Sequence, residues 1–159
     1  MSSAAEQPSD TPQVLVFPPL LFGGTLVLAL VLHWLRPQPV LPPLAARLLG
    51  LLILVASGLL ARSAETAMKR AGTNIPPNQP TLAIVTDGPF RFTRNPLYLA
   101  TAGLYVGIAL LVNALCPLLL LLPMLVILDW GVVRREERYL EAKFGDSYRD
   151  YRARVRRWV

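Results

Sequence analysis

LYLATAGLYVGIALLVNALCPLLLLLPMLVILDWGVV, residues 97 to 133, runs for thirty-seven residues with one charged side chain, Asp129. A helix rising about 1.5 Å per residue needs roughly twenty apolar residues to cross a hydrocarbon core of about 30 Å. The stretch therefore reads as two spans, about 97–115 and 118–133, joined through Cys116 and Pro117. So short a join predicts a tight helical hairpin, and Pro123 is a candidate kink in its second arm.

Working outward, Val14 to Leu35 is another apolar run, with Pro18 and Pro19 in its first turns, where a missing N–H matters least. Arg36 and the prolines at 37, 39, 42 and 43 end it, and a further span runs from about Leu44 to Leu60. Residues 61–71 read as helix, and Thr73 to Pro80, with three prolines and two asparagines, as irregular chain. A β-prone strip, Leu82 to Thr86, leads into the turn Asp87-Gly88-Pro89. Arg134 to Val159 is too charged to cross and predicts an interfacial helix pair broken near Gly145-Asp146. The expected fold is an all-α integral membrane protein, one domain over 1–159, with four transmembrane helices at about 14–35, 44–60, 97–115 and 118–133.

Composition agrees. The chain is 53% hydrophobic yet carries 16 Lys and Arg against 10 Asp and Glu. Because the positive charge sits beside long apolar runs and does not cover a soluble face, nucleic acid is not the expected partner. One cysteine, Cys116, and one histidine, His33, exclude an intrachain disulfide and a Cys/His zinc cluster, so no metal is expected. The tail Met1 to Gln13 has Glu6 and Asp10 but no basic residue, unlike the charged start of a secretory signal, and is expected to stay on the mature protein. Fourteen of the sixteen basic residues lie in the loop between the second and third spans or after the fourth. Basic loops stay in the cytoplasm, which predicts that both segments, both termini and any site they form face that side.

Several residues there could carry chemistry. In Arg94-Asn95-Pro96-Leu97-Tyr98, Asn is a favoured N-cap and Pro a favoured first residue, so the run reads as a good helix start. The same geometry aims free N–H groups and a positive helix end at the cytoplasmic surface, beside Arg91 and Arg94, as a carboxylate would require. Ala100, Gly103 and Gly107 form a small-residue stripe suited to close helix packing. Asp129 is an acid within a span, near enough to the interface to pair with an arginine. Arg134-Arg135-Glu136-Glu137-Arg138 reads by composition as a solvated helix end.

The run Thr86 to Tyr98 (TDGPFRFTRNPLY), an apolar hairpin, then Glu136-Glu137-Arg138-Tyr139-Leu140 and Phe144-Gly145-x-x-Tyr148-x-x-Tyr151 resembles the isoprenylcysteine carboxyl methyltransferase family, within the wider group that includes phospholipid N-methyltransferases. The resemblance covers about residues 73–157. It implies methyl transfer from S-adenosylmethionine, with a cytoplasmic loop and the C-terminal helical segment enclosing the cofactor. The acceptor it implies is lipid-like or isoprenoid, reached from the surrounding membrane lipids. The positions implied for the cofactor are Leu82, Ala83, Ile84, Val85, Phe90, Arg94, Asn95, Pro96, Leu97, Tyr98 and Glu136. An arginine near the end of the last span holds the substrate carboxylate in such members. Arg134 and Arg135 both match, and Glu137 stands beside them.

The residue types suit that cofactor: Phe90 and Tyr98 can wall an adenine, the Asn95 helix start can receive a carboxylate, and Glu136 can accept from an amino or ribose hydroxyl group. Asn95 stands where eukaryotic relatives have histidine, and it cannot take a proton. The acceptor is then one already ionised, such as a carboxylate, or one served by Asp129, Glu136 or Glu137. Phe90 replaces a frequent tyrosine, and the chain is short, with two spans before the shared part, which disfavours a prenylated protein tail as substrate. Phospholipid N-methylation, an NADPH-dependent membrane reductase of similar architecture and a non-enzymatic membrane scaffold are the competing expectations.

Overall fold

Proline starts three of the helices, because the first helical residue has no use for its N–H and proline presets the backbone angle. In a computed structural model describing residues 11–76 and 78–159, α1 runs Pro18–Leu35, α2 Pro43–Arg70 and α3 Pro96–Leu111. Helix α4, Leu115–Leu128, passes through a five-residue π turn, Asp129–Val133, into α5, Arg134–Phe144, and α6 is Asp146–Arg154. A single 3-10 turn, Gly88–Arg91, precedes α3. Tail residues 1–10 and Pro77 lie outside the described residues.

Every regular element described is helical, so the β-prone strip Leu82–Thr86 forms no strand. Three helical rods are long and apolar enough to cross a membrane: Pro18–Leu35, Pro43–Arg70 and the continuous Leu115–Phe144, whose apolar part ends at Val133. Helix α3 is apolar but has 16 residues, about 24 Å. Residues 61–71, which read as helix, form no separate element: with no proline or glycine between Leu60 and Gly72, α2 continues unbroken to Arg70. Likewise α5 is no separate interfacial helix but the end of the α4 rod. The break at Gly145 is where it was expected, with φ +56, a backbone angle that suits glycine.

The expected hairpin is also rearranged. Helix α3 packs chiefly on α2, and α4 on α1. The small-residue stripe of α3 faces α2: a Cβ added at Gly107 would meet Leu54, and one at Gly103 would meet Ser57. Phe22, Tyr105, Met124, Leu128, Val132 and Val133 form the buried core between α1, α3 and the α4 rod. At the far end Asn113, at φ +57, ties the two short connections together. Its Oδ1 accepts from Val40 N (2.9 Å) and Leu41 N (3.1 Å), and its Nδ2 donates to Leu41 O (2.7 Å).

The closest backbone approach is at Gly50, whose added Cβ would stand 2.8 Å from Leu111 N and 2.9 Å from Gly107 O. Backbone atoms cannot swing aside, so Gly50→Ala should cost about 1–3 kcal/mol, the usual range for overpacking, and lower the melting temperature in detergent. Gly58→Ala, with nothing within 4 Å, should be neutral or stabilising. Equal melting of the two variants would contradict the α2–α3 contact.

Candidate functional site

The start of α3 is held from a distance. Asn95 occupies the N-cap position, as the sequence predicts, but its side chain makes no cap hydrogen bond. Instead Asn95 Nδ2 donates to Arg157 O at 2.9 Å, Thr93 Oγ1 donates to the same carbonyl at 3.0 Å, and Arg94 N donates to Arg156 O at 2.9 Å. The C-terminal segment is thereby strapped along the entrance to α3. Tyr151 adds a second tie, its hydroxyl donating to Phe90 O at 2.9 Å.

The strap is locked by charge. Arg157 grips Glu137 with two bonds, Nε to Oε1 at 3.0 Å and Nη2 to Oε2 at 2.6 Å, and its Nη1 lies 3.3 Å from Asp129 Oδ1. Arg94 Nη1 stands 2.9 Å from Glu137 Oε1, so this buried carboxylate joins α5, the α3 entrance and the chain end. Bonding to Glu137 raises the Arg157 pKa further above its ordinary value. Asp129 is paired, as its place near the interface predicts, through Arg134 Nε at 2.8 Å as well as Arg157.

Behind the strap lies a cavity of about 740 Å³, within the range of small-molecule sites. Its walls include Ala83, Ile84, Val85, Phe90, Arg94, Asn95, Pro96, Leu97, Tyr98, Glu136 and Glu137. Leu82 is not among them and is largely exposed; its N–H donates to Thr73 Oγ1 at 2.9 Å. Nor do Arg134 and Arg135 line it. Arg134 bonds Asp129 and lies over the Trp130 ring, while Arg135 Nη1 reaches Gln13 O at 3.4 Å.

Tyr148 and Tyr151 of α6, part of the motif but given no role there, also line the cavity. Other wall residues escaped the sequence reading: Pro18, Pro19, Phe22 and Gly23 come from α1, and Glu65 and Met68 from the C-terminal part of α2. Glu65 makes no ion pair among the described residues. The unbroken run from Leu60 to Arg70 was the signal for it; Arg157 had none, being one basic residue among nine in a charged tail.

Glu136 and Tyr98 meet on the wall, the tyrosine hydroxyl donating to Glu136 Oε1 at 2.6 Å. Burial pushes the Glu136 carboxyl up to about 7; the Tyr98 bond opposes the shift and the charge of Glu137 adds to it. Arg94 Nε is buried without a hydrogen-bond partner. The first turn of α3 also presents backbone N–H groups that no helical carbonyl can reach. One edge of the cavity therefore offers donors for an anion, an acceptor for amino or hydroxyl groups, and aromatic and aliphatic surface between them.

Fold and site together define a helical membrane protein with a ligand-sized cavity at one edge of its apolar body. Residues 45–147 match the model of the phospholipid methyltransferase family, and the chain belongs to that family. It is also similar to an uncharacterized protein of Haemophilus influenzae, 49% identical over 35 residues. That segment is 22% of this chain and 56% of the relative, so the match spans about half of that protein's length.

If Asn95 acts through the strap, a residue that caps but cannot donate should not replace it. Asn95→Asp is expected to lose about 1 kcal/mol of stability, like Asn95→Ala, and to speed amide exchange at Arg94, whose N–H the strap holds. Retention of wild-type stability by Asn95→Asp would assign the residue to capping instead.

Proposed function

We propose that the chain transfers a methyl group from S-adenosylmethionine to a lipid-soluble acceptor. The observation that carries this reading is the juxtaposition, on one cavity edge, of the α3 start and Arg94 with the buried carboxyl of Glu136. Arg94 and the first-turn N–H groups suit the cofactor's carboxylate. Glu136 suits its amino or ribose hydroxyl groups, and Phe90, Tyr98 and the strip Ala83 to Val85 suit its adenine. When bound, the cofactor supplies a methyl group activated on a sulfonium. The chain's residues then have to align donor and acceptor and exclude water.

In this reading α3 is the fourth transmembrane helix, shorter because its neighbours shield it, and the loop before α3 and the segment after the π turn enclose the cofactor. The site and both termini face the cytoplasm, on the strength of the basic bias of those two segments. Family membership argues against the reductase and scaffold readings.

The resemblance to isoprenylcysteine methyltransferases points to a carboxylate acceptor held by Arg134 or Arg135. The charges around the cavity favour the other chemistry of the group, methylation of an amine. Neither arginine lines the cavity, the lining Arg94 is shared with Glu137, and Glu65 carries no ion pair among the described residues. An amine has to lose its proton before attack, and Glu65 and Glu136 are the wall carboxylates able to take it. Purified protein incubated with methyl-labelled S-adenosylmethionine and a membrane lipid extract should give a labelled lipid from which mild alkali releases no labelled methanol. Label released as methanol would mark an ester and return the acceptor to the carboxylates; no labelled lipid would overturn methyl transfer.

Glu136 makes the cofactor assignment testable through pH. A cationic ligand prefers the ionised carboxyl, so affinity should rise about tenfold per pH unit up to about 7 and then level. Glu136→Gln should bind at least tenfold more weakly at pH 8, without that slope. The raised pKa means the folded state holds the proton longer than the unfolded chain, so this group costs stability progressively from its ordinary 4.5 up to about 7. Glu136→Gln should therefore melt higher than wild type at pH 8 and converge with it near pH 4. Unchanged affinity with an unchanged slope would remove Glu136 from the site.

A further inference from the structure

A second recess lies on the opposite side of α2. It encloses about 540 Å³ between that helix and the Asp87-Gly88 turn, and is lined by Leu59, Arg62, Ser63, Thr66, Arg70 and Asp87 among others. These α2 residues recur every three or four positions and so form one stripe, turned away from the face that carries Glu65 and Met68. Towards the middle of the helix the same stripe continues as Leu48, Leu52, Val55 and Leu59, all exposed, with Leu52 at 65% and Leu59 at 64%. Helix α3 cannot cover it, because α2 meets α3 through Gly50, Leu54 and Ser57 on the other face.

The charges are equally uncommitted. Neither Arg62 nor Arg70 forms an ion pair among the described residues, and neither does Asp87. Thr66 donates its hydroxyl to Arg62 O at 2.7 Å, and the Ser63 hydroxyl faces the Gly88 turn. Two arginines and a serine thus sit at the end of an exposed apolar stripe of about three turns.

We propose that this recess binds the phosphodiester headgroup of a membrane phospholipid, with an acyl chain along the stripe from Leu59 to Leu48. Arg62 and Arg70 offer forked donors to the phosphate oxygens. Asp87, on the facing wall, accepts from a headgroup hydroxyl or ammonium. The site is separate from the cavity that holds Glu136 and does not depend on methyl transfer. Its occupant bridges α2 and the turn leading to Phe90, so lipid should stabilise that junction.

The test is native mass spectrometry of the detergent-solubilised full chain with dioleoylphosphatidylglycerol, read beside the melting temperature. Wild type should retain one lipid and melt higher with it. Arg62→Gln/Arg70→Gln should weaken retention at least tenfold and abolish the melting shift. Arg36→Gln/Arg47→Gln, which removes as much charge elsewhere, should change neither. Thr66→Phe, which fills the recess and keeps both arginines, should also lose the lipid, so misfolding of the charge variant would leave the site testable. Equal retention by the two double variants, or by Thr66→Phe and wild type, would overturn the site. Displacement of the lipid by glycerol 3-phosphate at similar concentration would assign the recess to a soluble phosphoester and overturn the lipid.

Discussion

Glu137 is the joint on which the polar end of this molecule depends. A carboxylate buried at the edge of an apolar body is tolerable only if its charge is matched, and removing one partner of such a pair typically costs about 3–5 kcal/mol. Here the match comes from two arginines far apart in the chain, Arg94 before α3 and Arg157 two residues from the end. The pairing fixes the chain end, and the chain end fixes Thr93, Arg94 and Asn95 through its carbonyls. Rigidity at the α3 entrance is thus delivered from outside that helix.

The π turn supplies the other half of the arrangement. One wide turn at Asp129–Val133 changes the phase of everything after it, so that the rod can bury Val132 and Val133 and still send Glu136 and Glu137 to the cavity side. The residue opening that turn, Asp129, is neutralised by Arg134 and Arg157. Leu15 N also donates to Gly131 O at 3.0 Å, which brings the segment before α1 against the rod. Neighbouring glutamates end in unlike states: Glu137 is paired and structural, while Glu136 is desolvated and, among the described residues, bonded only to a tyrosine hydroxyl. That contrast is the reason to look for a ligand at Glu136.

What could be read from the chain followed from constraints that act locally. Apolar length declares a membrane helix because lipid offers no other hydrogen-bond partner, and Gly145 declares a break because few other residues take its backbone angle. Pairing is different. The small residues at Gly103 and Gly107 announce a close approach without naming the neighbour, which proved to be α2 through Gly50 and Ser57 and not α4. Asn95 was legible as a helix start, yet its amide serves a carbonyl sixty-two residues away, which no N-cap pattern encodes. Leu82 shares its apolar character with Ala83 to Val85 but points outward, and one strip residue facing the other way is a matter of backbone path. Arg134 and Arg135 were candidates only by their place near the end of the last span, and neither lines the cavity.

The central claim is that the cofactor lies between the α3 start and the α5–α6 segment. Ultraviolet crosslinking of methyl-labelled S-adenosylmethionine to the purified chain, followed by peptide mapping, addresses it directly. The account predicts label within residues 83–98 or 136–151, quenched by excess S-adenosylhomocysteine. Quenchable label confined to the recess residues 59–71, or to the far-end connections around Asn113, would contradict it.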